Sequence, residues 1–89
     1  MTKSNAPDPV QTVIEIIADA AGKPAESLTP DVELAWLGMG SLEMLECVLN
    51  IEDALKVEMD EPDLRKLRTV QDVLTAVRRA TDAAGQRRA

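Results

Sequence analysis

Residues 34–55 read LAWLGMGSLEMLECVLNIEDAL, and the turn at 38–41 decides how the rest of the chain is read. Gly38 and Gly40 flank Met39 and deliver Ser41 into a run that is apolar and acidic at once. Glycines break a preceding segment and serine opens a helix. The turn therefore predicts a helix with Ser41 as its N-cap, running to Leu55 or Lys56. Met44, Cys47, Val48, Ile51 and Leu55 follow the i, i+3, i+4, i+7 spacing and can all face a core. A second row, Leu42, Leu45 and Leu49, lies on an adjoining face with Glu46, Glu52 and Asp53 near its edges. A chain of 89 residues has little core in which to bury both rows. The second row is therefore expected to be an exposed strip that docks in a basic-rimmed apolar groove of a partner. The alternative is a broad core face under the preceding loop.

Upstream, NAPDP at 5–9 is a polar, proline-bearing lead-in. Val10, Val13, Ile14, Ile16 and Ile17 then recur at helical spacing until Gly22, which predicts a helix over 9–21. Residues 23–40 hold Pro24, Pro30, Gly38 and Gly40 without sustained periodicity and read as a long loop, a feature that in small domains is often functional. Downstream, Asp60 to Leu67 reads as a short helix with Asp60 as cap, Asp63 in the capping-box position and Pro62 in the first turn. Thr69 with Asp72 repeats the capping pattern ahead of Val70, Val73, Leu74 and Val77, the apolar face of a last helix. Residues 78–89, RRATDAAGQRRA, lose the periodicity and are expected to fray. The fold expected is all-α, a small four-helix bundle with a long loop between helices one and two and a short third helix. Its limits are a flexible lead at 1–8, a helical domain at 9–80 and a flexible tail at 81–89.

Composition removes most function classes. The chain has no histidine, tyrosine or phenylalanine, one tryptophan and one cysteine, so the usual nucleophile, acid-base and metal-ligand sets cannot be assembled. An enzyme is not expected. A hydrolase with Ser41 as nucleophile lacks a histidine base, and a calcium loop near Asp60 lacks the acid spacing and the central glycine. Cys47 has no partner for an internal disulfide, and MTKSNAPDPV lacks the apolar run of a signal peptide or membrane helix. A cytoplasmic protein is expected. The net charge of -6 argues against a nucleic-acid partner. That charge is local: Glu43, Glu46, Glu52, Asp53, Glu58, Asp60, Glu61 and Asp63 fall between 41 and 63 against Lys56 alone. Such a patch steers basic partners.

LGMGSLEMLECVLNIEDAL at 37–55 resembles the signature of acyl carrier proteins, a Leu-Gly-Xaa-Asp-Ser-Leu loop leading into an acidic helix. RTVQDVLTAV at 68–77 resembles their closing Thr-Val-Xaa-Asp helix start, and the spacing between the two pieces fits. The resemblance covers about Val10 to Val77. It implies that Ser41 carries 4'-phosphopantetheine, derived from coenzyme A, through a phosphodiester. The terminal thiol of that arm, not Cys47, would hold acyl intermediates as thioesters for presentation to partner enzymes. Partner contacts carry over to Leu42, Leu45, Glu46, Val48, Leu49, Glu52 and Asp53. The implied partners are a phosphopantetheinyl transferase and an acyltransferase, ketosynthase or acyl/aminoacyl ligase with a basic-rimmed apolar groove. The carrier is expected to be a monomer without metal.

Two positions depart from the family pattern: Gly40 stands where an aspartate usually precedes the serine, and Trp36 stands where an acidic residue commonly precedes Leu-Gly. Trp36 is expected either to plug the loop onto the core or to touch the arm or a partner beside Ser41. Met1 and the short tails suggest a discrete carrier, and Gly40 a specialised one, in polyketide, fatty-acid-like or other secondary-metabolite (for example antibiotic) biosynthesis. The alternatives are an aminoacyl or peptidyl carrier, and an unmodified carrier-like adaptor in which Ser41 is only a cap.

Overall fold

The computed structural model describes residues 8–87; of the lead expected at 1–8 and the tail expected at 81–89, residues 1–7 and 88–89 lie outside them. Four helices form among the described residues: α1 (Pro9–Ala21), α2 (Ser41–Leu55), α3 (Glu61–Leu64) and α4 (Val70–Arg87). The all-α expectation is met, with a long loop after α1 and a short α3.

Each helix has an identifiable start and stop. Asp8 caps α1 by accepting a hydrogen bond from the Val10 N–H at 3.0 Å, and Pro9 supplies the preset φ of a first helical residue. Gly22 ends α1 in the left-handed region at φ 69°, which glycine enters without steric cost. The capping box read at the start of α4 is present: the Asp72 N–H donates to Thr69 Oγ1 at 3.2 Å and the Thr69 N–H to Asp72 Oδ2 at 3.1 Å. The corresponding box at α3 is not. That helix is a single turn from Glu61 to Leu64, shorter than the span expected, and Asp60 makes no side-chain cap. Asp63 instead pairs with Arg79 at 3.0 Å, because on a one-turn helix its carboxylate reaches α4 more readily than its own helix start.

The core is aliphatic. Val13, Ile17, Ile51, Val70 and Val73 are fully buried, each worth about 1.5–3 kcal/mol of transfer free energy, and Val48, Met59, Ala76, Val77 and Ala80 join them. α1 packs on both α2 and α4, and α3 packs on α4. α4 continues through Arg87, past the boundary expected at Ala80. The apolar periodicity fades there, but alanine has the highest helix propensity and the Thr81 hydroxyl donates to the Val77 carbonyl at 2.8 Å.

The loop over 23–40 is more ordered than its lack of periodicity suggested. It contains two 3-10 turns, Ala25–Ser27 and Ala35–Leu37, and buries Leu28, Leu34, Leu37 and Met39. Its middle is fastened to the start of α4: the Leu34 N–H donates to the Arg68 carbonyl at 2.8 Å, and the Val70 and Gln71 N–H groups donate to the Val32 and Pro30 carbonyls at 2.9 Å each. Trp36 is not the plug. It is 73 % exposed, because in a three-residue 3-10 turn the flanking Leu34 and Leu37 already fill the inward positions.

Cys47 is the small buried hydrophobe of α2, 1 % exposed. Burial pushes its thiol up to about 11. Because the folded value exceeds that of the unfolded chain, the thiol's contribution to stability is complete below about pH 9. It is lost as pH rises toward 11. Chemical denaturation across this range is expected to show a steeper loss for the wild type than for Cys47→Ala.

Candidate functional site

The last loop residues aim Ser41 outward. Gly38 turns the chain in the left-handed region at φ 79°, Met39 anchors it in the core, and Gly40 is the N-cap in extended conformation. Ser41 is therefore the first helical residue and not the N-cap that its residue type suggested. Glycine at the cap has no side chain to bond back, so the helix start uses only the reciprocal contact: Glu43 Oε1 accepts from the Gly40 N–H at 3.0 Å. The Met44 N–H makes the first intrahelical bond, to the Gly40 carbonyl. The N–H groups of Ser41, Leu42 and Glu43 lie before it, at the positive end of the helix, where an anion esterified to Ser41 would meet them. Ser41 itself is exposed, free of the capping duty that would tie its hydroxyl down.

Two apolar features border this serine. Leu42, Leu45 and Leu49 are 64 %, 54 % and 54 % exposed, so the second row of α2 is a surface strip and not part of a broad core. Glu46 and Asp53 stand exposed beside it. Val48 differs from the other expected contacts. It is 5 % exposed, because the i, i+3, i+4 spacing that links it to Met44 and Ile51 turns it inward. Glu52 is partly engaged: its Oε2 accepts from the Met59 N–H at 2.8 Å and fastens the segment after α2, where Lys56 adopts φ 57°. The second feature is a groove of about 460 Å3 between the loop, α2 and the turn after α3. Met39, Met44, Leu45, Val48, Leu64 and Leu67 line it, and Ser41 borders it.

The sequence reading missed this groove. Leu64 and Leu67, three apart, carried a signal for it; Met39 did not, since nothing in its neighbours marks it as buried. Among the described residues no group of three or more Cys, Asp or Glu side chains is placed to hold a metal ion. No described helix is long and apolar enough to cross a membrane.

Residues 11–77 match the family described as "Phosphopantetheine attachment site". Over 65 residues, 72% of this chain and 81% of its relative, the sequence is 38% identical to an acyl carrier protein of Syntrophus aciditrophicus. It is 36% identical over 62 residues to an acyl carrier protein of Syntrophobacter fumaroxidans, covering 68% and 76% of the two chains. It is 35% identical over 80 residues to acyl carrier protein 3 of Ralstonia nicotianae, covering 89% and 92%.

Proposed function

This chain belongs to the phosphopantetheine-binding acyl carrier protein family, and we propose that Ser41 is the residue to which it attaches the arm. The observation that carries this reading is an exposed serine at the first position of α2, beside an exposed leucine strip with acidic edges. The arm supplies a thiol that holds an acyl group as a thioester. The chain's own residues do the rest. The α2 N-terminus offers N–H groups to the phosphodiester. The groove of Met39, Met44, Leu64 and Leu67 gives an apolar cargo a surface on which to rest. Leu42, Leu45 and Leu49, flanked by Glu46 and Asp53, enter a basic-rimmed apolar groove on an acyltransferase, ketosynthase or ligase. The protein catalyses nothing itself; tethering raises the effective concentration of the acyl group at successive enzymes. We place it as a monomeric cytoplasmic carrier in a specialised pathway of the polyketide or fatty-acid-like kind.

The reading is tested by intact mass after incubation with coenzyme A, magnesium and a broad-specificity phosphopantetheinyl transferase. A gain of one phosphopantetheine is expected. No gain, repeated with the transferase of the same organism, would leave the unmodified adaptor.

Gly40 is expected to limit the rate of that reaction without being needed for the fold. A Cβ at position 40 would meet only Glu43 Oε1, at 3.0 Å, the far end of a flexible side chain that can swing away. Gly40→Asp exchanges the Glu43 contact for a direct cap on the helix start, so stability should change by no more than ~0.5 kcal/mol. The restored carboxylate beside Ser41 should raise the initial rate of arm transfer. Thermal melts and initial rates on the two proteins check both parts.

A further inference from the structure

Trp36 is the chain's one aromatic residue, and 73 % of it faces solvent on a loop segment whose neighbours Leu34 and Leu37 are buried. With Asp31, Val32 and Glu33 it lines a shallow cleft of about 290 Å3 that adjoins the groove beside Ser41 at Glu33, which borders both. The backbone of the cleft is held in place by the bonds from Leu34 to Arg68 and from Val70 to Val32, so a visitor would not have to order it. Both carboxylates are exposed, and neither forms an ion pair with a described residue. The Thr29 hydroxyl donates to Asp31 at 2.6 Å and holds that carboxyl below its usual range. The indole already attracts a cation: Lys23 Nζ lies 5.9 Å from the ring centroid, outside the lining of the cleft.

An aromatic face beside two exposed carboxylates that have no ion-pair partner among the described residues suits a guanidinium better than an ammonium. The guanidinium is flat, stacks on the ring and donates through a fork of N–H groups, whereas an ammonium is a compact, strongly hydrated point charge. We propose that this cleft receives an arginine side chain of the phosphopantetheinyl transferase that modifies Ser41, as a specificity contact separate from the leucine strip. The proposal rests on Ser41 being the attachment site. The transferase must bring its own catalytic centre against the Ser41 hydroxyl, and it therefore covers the loop that leads there. Enzymes that act at the far end of a flexible arm have no such need.

Initial rates of arm transfer, measured with coenzyme A, magnesium and a broad-specificity transferase over a range of carrier concentrations, test this. Trp36→Ala and the double variant Asp31→Asn/Glu33→Gln should each raise KM roughly tenfold with kcat within about twofold of wild type. The end-point mass and the helical circular dichroism should stay as in wild type, since all three side chains are exposed. A KM unchanged in Trp36→Ala overturns the cleft, as does a loss of kcat at constant KM. A wild type that is modified while the variants match it overturns the cleft alone; a wild type that gains no arm overturns the carrier reading and the cleft with it.

Discussion

Replacing Ser41 by alanine is expected to abolish attachment of the arm and leave the fold standing. The two halves of this result come from different features. Loss of attachment is complete because the reaction needs the hydroxyl oxygen itself. The fold survives because Ser41 occupies the first helical position and Gly40 takes the cap. Alanine at an exposed helical position changes stability by about 0.5 kcal/mol or less. Had Ser41 been the cap, its loss would cost roughly 1 kcal/mol, a fall of about 4–8 °C in melting temperature for a domain of this size. A melt of Ser41→Ala beside its mass after transferase treatment reads both halves at once. Cys47→Ala is the companion variant. The thiol is 1 % exposed and its pKa is pushed up to about 11, so removing it should leave loading intact.

The second large effect separates two residues that are neighbours on α2. Ile51 is fully buried, whereas Leu49 is 54 % exposed. Ile51→Ala should cost about 2–5 kcal/mol, a large part of the ~5–15 kcal/mol that holds a domain together, and Ile51→Asp should unfold the protein by burying an unpaired charge. Leu49→Asp should fold as wild type does, with stability within about 0.5 kcal/mol. It should nevertheless bind an acyl-transferring partner at least roughly tenfold more weakly, as expected for an apolar anchor replaced by a charge. Equilibrium denaturation and partner titration on the same three proteins resolve this. If Leu49→Asp unfolded, the row would belong to the core. If it folded and bound normally, the strip would not be a docking surface.

The helices and the strip were legible in the sequence because each rests on a local signal. Gly22 and the Thr69–Asp72 box mark helix limits, and the two rows of α2 follow from spacing along one helix. The features that were not legible depend on where distant segments meet. Ser41 reads as a cap by residue type, yet Gly40 takes that place because the extended backbone of the turn ends one residue earlier. Asp63 reads as a capping-box acid, but Arg79, sixteen positions away, draws its carboxylate to α4. Trp36 reads either as a plug or as a contact for the arm or a partner, and the plug fails because the inward positions of its turn are filled by Leu34 and Leu37. The groove beside Ser41 joins Met39, Met44 and Leu64 from three separate segments, so no periodicity within any one of them could announce it.

The most direct test of Ser41 as the attachment residue is fragmentation mass spectrometry of the wild-type chain after transferase treatment. The phosphopantetheine increment should localise to the proteolytic peptide that contains Ser41, and the peptide that contains Ser27 should keep its unmodified mass. An increment on any other residue, or an unmodified Ser41 peptide from a chain whose intact mass had risen, would contradict the assignment.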